Sequence, residues 1–256
     1  MPTVSSGNAS IYYEVHGEGP CVVFAHGRGG NAASWWQQVP EFSASYRVVV
    51  FDHRCFGRSR CATEDFDRAK FDADLIAILD QECIGQAAIV CQSMGGWTGL
   101  RTTLRHPERV SCLVLSNTPA GVDTPKVRAA LAEARVMFAT EGVGSAAVAD
   151  DFPERAPESA FLYRQINGLN LQIPEALAFG EDVWHRAEDL EGFTTPTLMI
   201  TSDHDRLIPP GAVKEVAALI SGAQFVQLPG AGHSPYFEIP EAFNRTIAPF
   251  LKAHAR

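Results

Sequence analysis

No apolar run in this 256-residue chain approaches the ~18 residues that a bilayer-spanning helix requires. The opening residues, Met1 to Gly7, contain neither a basic stretch nor an apolar one. The expectation is therefore no membrane partner, no secretion signal and a cytoplasmic protein. Positive charge is scarce: 21 Lys and Arg stand against 30 Asp and Glu, a net charge of −9. A nucleic-acid partner is not expected from such a balance. The six cysteines, Cys21, Cys55, Cys61, Cys83, Cys91 and Cys112, form no C-x-x-C pair, and three lie in or beside apolar runs. They read as buried free thiols rather than a disulfide framework. Internal repeats and low-complexity segments are absent as well.

What remains is ordinary globular material, 46% hydrophobic and 20% charged. Its length suits one large domain or a core with one insertion. Short apolar, β-branched runs alternate with helical patterns, as expected of an α/β protein with a mostly parallel sheet. Ile11 to Val15 reads as an early strand. Cys21 to Ala25, Val48 to Asp52, Ala87 to Val90, Val110 to Ser116, Thr197 to Thr201 and Gln224 to Leu228 read as parallel strands. Strands buried on both faces have no polar side, which explains runs that do not alternate. Helices are expected over Asn31 to Ser43, Phe71 to Gln81, Gly95 to Leu104, Pro209 to Ile220 and Pro240 to Leu251.

The alternation stops between Pro119 and Thr194. That stretch has no strand-like run and reads as three or four short helices. Residues 120–192 hold 13 acidic and 6 basic side chains, a balance of −7, whereas the remainder holds 17 and 15, a balance of −2. An acidic helical insertion between two strands is most simply a cap. The expected division is a core of residues 1–119 and 193–256 with a cap over 120–192.

The chemical signal is Ile89-Val90-Cys91-Gln92-Ser93-Met94-Gly95-Gly96, a buried strand running straight into a helix with a serine at the junction. A sharp turn there exposes the hydroxyl and aims the first helical amides at whatever it attacks. Small residues are needed around such a turn. Gly95 supplies one, while Cys91 stands where the first glycine is expected. A lone S-x-G is usually an ordinary helix cap, so the partners decide. Serine needs a base, usually histidine, oriented by a carboxylate. Ser202-Asp203-His204-Asp205 follows one later strand, and Pro229-Gly230-Ala231-Gly232-His233-Ser234 follows the next. The chain order Ser93, Asp205, His233, each in a loop after a strand, fits a nucleophile, an orienting acid and a base. Asp203 is the rival acid. Asp203 and His204 also suggest a metal, but no second ligand pair at metal spacing accompanies them, and no metal or other cofactor is expected.

With His26-Gly27 after an apolar strand, Asp52-His53-Arg54 with Gly57-Arg58-Ser59, the serine turn, the Asp205 loop ending at Pro209 and Gly232-His233, the chain resembles the α/β-hydrolase superfamily over nearly its whole length. The resemblance implies about eight strands, helices on both faces and a helical cap after the sixth strand. It implies Ser93, Asp205 and His233 as a catalytic triad, with the backbone amides of Arg28 and Met94 as the oxyanion hole. His26 is expected to shape its loop, and Asp52 and Arg54 to hold the turn after Val48 to Asp52. Asn117 stands where some members carry the acid. Phe138, Phe161 and Trp184, with Met137, Tyr163 and Phe179, are the candidate pocket residues in the insertion.

The serine excludes the subfamilies with an aspartate nucleophile. The nearest texture is that of 3-oxoadipate enol-lactonases and small carboxylesterases, so the expected substrate is a small ester or lactone. Carbon–carbon bond hydrolases of ring-cleavage products are the alternative, but Gln92 and Ser234 depart from their asparagine and aromatic residue. A non-catalytic ligand sensor on the same fold is a further one. The acidic insertion favours neutral or cationic esters. A monoanionic substrate would need a basic partner, for which Arg28 is the nearest candidate.

Overall fold

The computed structural model describes residues 2–141, 146–171 and 185–256, with side chains throughout except at positions 134, 135 and 137–141. In chain order the strands are β1 (Thr3–Ser6), β2 (Ala9–His16), β3 (Cys21–Ala25), β4 (Arg47–Phe51), β5 (Ala87–Gln92), β6 (Val110–Ser116), β7 (Val122–Asp123), β8 (His185–Arg186), β9 (Thr197–Ser202) and β10 (Gln224–Leu228). The helices are α1 (Gln38–Phe42), α2 (Phe71–Gln81), α3 (Gly95–Arg105), α4 (Pro125–Glu141), α5 (Phe152–Arg155), α6 (Pro157–Gly168), α7 (Pro210–Leu219), α8 (Pro235–Glu238) and α9 (Pro240–His254).

Eight strands form one sheet in the order β1-β2-β4-β3-β5-β6-β9-β10. Strand β1 pairs antiparallel with β2, and β2 antiparallel with β4, and every pairing from β4 to β10 in that order is parallel. The central strands β3, β5 and β9 are buried at every residue. Each Val, Ile or Phe placed there contributes ~1.5–3 kcal/mol through removal from water. Helices cover both faces. Helix α3 packs on β5 and β6, α7 on β9 and β10, and α9 on β6 and α1. No helix among the described residues is long and apolar enough to cross a membrane.

Four details differ from the expectation, each for a physical reason. The eighth strand, β1, was invisible in Thr-Val-Ser-Ser. It exists because Gly7, at φ 56°, closes a tight hairpin that pairs Ser6 with Ala9. The helix expected over 31–43 divides into a single 3-10 turn, Ala32–Trp35, and α1. Asn31 caps the first piece, accepting from the Ala33 amide at 3.0 Å. Pro40, lacking an N–H, cannot bond back to Trp36, and Gln38 turns its amide to Tyr236 O (2.9 Å) and Asn244 Oδ1 (3.0 Å). Strand β10 is an edge strand with Gln224 and Gln227 in solvent. Finally, the insertion between β6 and β9 contains the two-residue parallel pair β7–β8 beside its helices.

The cysteine reading needs correction. Cys55 and Cys61 are disulfide-bonded, with Cα atoms 5.5 Å apart, inside the range that the bond requires. The turn after β4 brings them together, with Cys55 at φ 64°. Cys21, Cys91 and Cys112 are free and buried, and Cys83 is free and exposed.

Candidate active site

At the end of β5 the chain turns so sharply that Ser93 adopts φ 51°. That left-handed conformation costs a non-glycine residue ~1–2 kcal/mol. Surrounding contacts enforce it. The Ser93 amide donates to Ser116 O at the end of β6 (3.0 Å), and helix α3 begins against the end of β3. A Cβ on Gly95 would stand 2.2 Å from the Ala25 carbonyl oxygen, so no larger residue fits. Gly27 approaches from the loop after β3: its Cβ would lie 3.1 Å from that of Ser93.

Cys91, the departure from the expected glycine, is accommodated by a second glycine one helical turn further on. A Cβ on Gly99 would lie 2.3 Å from Cys91 Sγ. The thiol therefore occupies the volume that Gly99 leaves empty. It is fully buried, and burial pushes its pKa far up. Such a thiol stays protonated and is no nucleophile.

The loops after β9 and β10 meet beside this turn. Both oxygens of the buried Asp205 carboxylate are fully engaged. Oδ1 accepts from the Leu207 and Ile208 amides at 2.9 Å each, and Oδ2 accepts from His233 Nδ1 at 2.9 Å and Asn117 Nδ2 at 2.8 Å. Four donors converge on one carboxylate and fix its direction toward the ring. With Nδ1 donating, Nε2 of His233 is left as an acceptor. The rival Asp203 accepts from the Gly230 amide at 2.8 Å and is partly exposed; it ties two loops rather than the ring. Asn117, at φ 52° just beyond β6, is uncharged and serves as a donor that positions the Asp205 carboxylate.

The His233 loop is pinned on both sides. Gln92 Nε2, from the residue before Ser93, donates to the His233 carbonyl at 2.9 Å. The buried carboxylate of Glu238 accepts from the Gly232 amide (3.0 Å), the Ser234 amide (3.1 Å) and, from the insertion, the Ala149 amide (2.8 Å). A Cβ on Gly232 would lie 2.3 Å from the Ala149 nitrogen, so the insertion packs directly on the residue preceding His233. Burial raises the Glu238 pKa, opposed by the three amides and by Arg155.

The loop after β3 is built from beneath. His26 and His53 are fully buried. His26 Nδ1 donates to Gly27 O (2.7 Å) and its Nε2 accepts from the His53 amide (2.9 Å), while His53 Nε2 reaches Thr98 Oγ1 (2.8 Å). Burial lowers the His26 pKa to about 4, and His53 is lowered well below its usual value by burial and by its histidine and arginine neighbours. Asp52 accepts from the Ala32 amide (2.6 Å) and the Arg58 amide (2.7 Å), and Arg54 turns away to pair with Asp74 on α2 (2.7 Å). From above, Asn170 beyond α6 donates to Gly29 O (2.9 Å) and Gly30 O (3.1 Å) and accepts from the Gly57 amide (2.9 Å).

The structure thus brings Asp205 and His233 into contact and sets Gly27, the neighbour of Arg28, against Ser93, which Met94 follows. The Ser93 hydroxyl makes no hydrogen bond to any described residue, and neither do the Arg28 and Met94 amides. Of the candidate pocket residues, Phe161 needs correction: it is 58% exposed on α6. Tyr163, two positions and about 200° away round the helix, faces inward instead, with its hydroxyl 3.0 Å from Ser234 Oγ. Phe138, Trp184, Met137 and Phe179 lie outside the residues whose side chains are described. Glu238, Asn170 and Gln92 were missed. They bond backbone atoms that only the folded chain brings near, so neither spacing nor motif could indicate them.

A family model described as "Alpha/beta hydrolase family" matches residues 22–246. Over 266 residues the chain is 29% identical to the Caulobacter sp. (strain K31) protein named "Putative carbamate hydrolase RutD", covering 96% of this chain and 97% of that one. Among solved structures it superposes on Est816, described as an N-acyl homoserine lactone degrading enzyme, with TM-score 0.83, 26% identity and 97% and 100% of the two chains covered. The enol-lactonase from Burkholderia xenovorans LB400 gives TM-score 0.80 and 25% identity, covering 98% and 100%. With a single eight-stranded sheet, a strained serine turn and these matches along nearly its full length, the chain belongs to the alpha/beta hydrolase family.

Proposed function

We propose that this protein is a cofactor-independent serine hydrolase of small carboxylic esters or lactones. The observation that carries the reading is the fully satisfied Asp205 carboxylate bonded to His233 Nδ1, with the His233 carbonyl held by Gln92, the residue preceding Ser93. In this reading Ser93 Oγ attacks the substrate carbonyl while His233 Nε2 takes its proton, and Asp205 stabilises the imidazolium. The hydroxyl–imidazole hydrogen bond forms as substrate enters. The amides of Arg28 and Met94, without acceptors among the described residues, receive the oxyanion, each worth ~2.7–4 kcal/mol in the transition state. His233 then returns the proton to the leaving alkoxide, and water resolves the acyl-enzyme by the same steps reversed. Residues 120–192 act as a cap on this site, and the same groups would serve a carbamate. Similarity to an enol-lactonase and to an enzyme degrading homoserine lactones supports the substrate class. The test is turnover of p-nitrophenyl acetate and butyrate by the wild type and Ser93→Ala. Loss of ~10⁴-fold or more in kcat is expected. Undiminished turnover by Ser93→Ala sinks the reading, and a wild type inert to esters and lactones favours a ligand sensor.

A further inference from the structure

The described arginines that are buried or half-buried have partners, with one exception. Arg54 pairs with Asp74 at 2.7 Å, Arg47 with Glu82, Arg109 with Asp80 at 2.8 Å and Arg206 with Asp150 at 2.8 Å. Arg101 donates to Ala69 O at 2.9 Å, and Arg68 is engaged as well. Arg28 is half-buried yet has no hydrogen bond, ion pair or ring contact with any described residue. Burial lowers its pKa, although a guanidinium remains charged at any physiological pH. A partly desolvated cation with no counter-charge among the described residues is unusual, because withdrawal from water disfavours it unless something opposite arrives.

The position of Arg28 says what could arrive. It is a central residue of the tight turn closed by the Gly30 amide on Gly27 O (3.0 Å). That turn is fixed by His26 below and by Asn170 above, so the root of the side chain is held still. Gly27, its immediate neighbour, is the residue in near contact with Ser93. The guanidinium is therefore rooted within one side-chain length of the hydroxyl that the proposed reaction uses. No second Lys or Arg occurs in the segments 26–32, 92–96 or 229–234. One planar fork matches a carboxylate bidentately, whereas a dianionic phosphate ordinarily recruits several cationic donors.

We infer that Arg28 receives a carboxylate carried by the substrate, so that the natural substrate is a monoanionic ester or lactone with its acid group a few carbons from the bond cleaved. This rests on the serine-hydrolase reading. The recognition is local: the net charge of −9 opposes anions at long range. The acids of the insertion near its described basic groups are themselves engaged, Asp123 with Arg128, Asp150 with Arg206 and Asp151 with Arg155.

The experiment compares kcat/KM for p-nitrophenyl butyrate and mono-p-nitrophenyl glutarate at pH 7.5 in wild type, Arg28→Lys and Arg28→Met. In the wild type the glutarate half-ester should be preferred, and the anionic-to-neutral ratio should fall ~10-fold or more in Arg28→Met, with Lys between because it lacks the fork. A ratio unaltered by Arg28→Met, with both esters still cleaved, overturns the role of Arg28 and leaves the hydrolase reading standing. Binding is read separately, by calorimetry of glutarate monomethyl ester on Ser93→Ala, which requires no turnover. Saturable binding lost in Ser93→Ala/Arg28→Met supports the anion site even where hydrolysis fails. Equal binding by both proteins, or none by Ser93→Ala, contradicts it.

Discussion

The two halves of the site are held in opposite ways. Around Asp205 and His233 nearly every polar atom has a partner: four donors on the acid, three amides on Glu238 and a glutamine on the histidine carbonyl. Around Ser93 the structure is set by glycines that admit close contact, and its polar groups meet no partner among the described residues: the hydroxyl, the amides of Arg28 and Met94 and the Arg28 guanidinium. The contrast follows from what each half does in the proposed reaction. An orienting acid works only if its direction is fixed beforehand, and satisfied hydrogen bonds fix it. Groups that meet the substrate must be unsatisfied until it comes, and sterics can hold them without occupying them.

The largest break in the satisfied half should come from Asp205→Asn. An amide in that place would present N–H to one of its present donors and destabilise the Nδ1–H form of His233. We expect kcat to fall ~10⁴-fold with little change in fold by circular dichroism. A fall below tenfold would detach Asp205 from the chemistry.

Acid tests the buried histidines beneath the open half. His26 has its folded pKa lowered to about 4 from 6.5 by burial and His53 is lowered too, as is, away from this loop, the half-buried His185 of β8. The unfolded chain therefore binds protons that the folded chain refuses, and stability is lost as pH falls from 6.5 toward 4. The fully buried His26 alone accounts for roughly 3 kcal/mol. Glu238, whose pKa is raised, acts with the opposite sign, since its buried charge costs stability at higher pH. Thermal melts from pH 7 to 4.5 should show Tm falling. A Tm that is flat or rising over that range contradicts neutral buried imidazoles.

A smaller effect is expected at Glu238→Gln. Its amide would turn N–H toward one of three buried backbone donors, at a cost of ~1–3 kcal/mol. Because two of those donors flank His233, kcat should fall more than KM rises. Equal stability in urea would show that the insertion is not latched there.

The smallest effect sharpens the open half. Gly99→Ala places a methyl against Cys91 Sγ and should cost ~1–3 kcal/mol by overpacking. In a Cys91→Ala background the cost should shrink, giving a coupling energy of ~0.5–3 kcal/mol. Additive effects would mean that the two positions do not share one volume.

Most of the sheet was legible because a parallel strand buried on both faces must be apolar throughout, as Cys21–Ala25 and Val110–Ser116 are. Strand β1 was not, since Thr3–Ser6 owes its state to the hairpin at Gly7 rather than to its own composition. The helix expected over 31–43 failed where Gln38 answers to Asn244, a partner 206 residues away. The pairing of Cys55 with Cys61 depended on a left-handed turn that no hydrophobic pattern reports. The order Ser93, Asp205, His233 was readable because each follows a strand. Glu238 and Asn170 were hidden for the reason that makes them effective, as they bind backbone amides and carbonyls rather than side chains of a recognisable type.

The central claim is that the left-handed Ser93 is the nucleophile activated by the His233–Asp205 pair. The most direct measurement is treatment of the native protein with a fluorophosphonate, followed by peptide mass spectrometry. A single adduct on Ser93, formed by the wild type and absent or at least ~10³-fold slower in His233→Ala, is the result expected. An adduct at another residue with esterase activity lost in step, or continued ester turnover by protein fully labelled on Ser93, would contradict it.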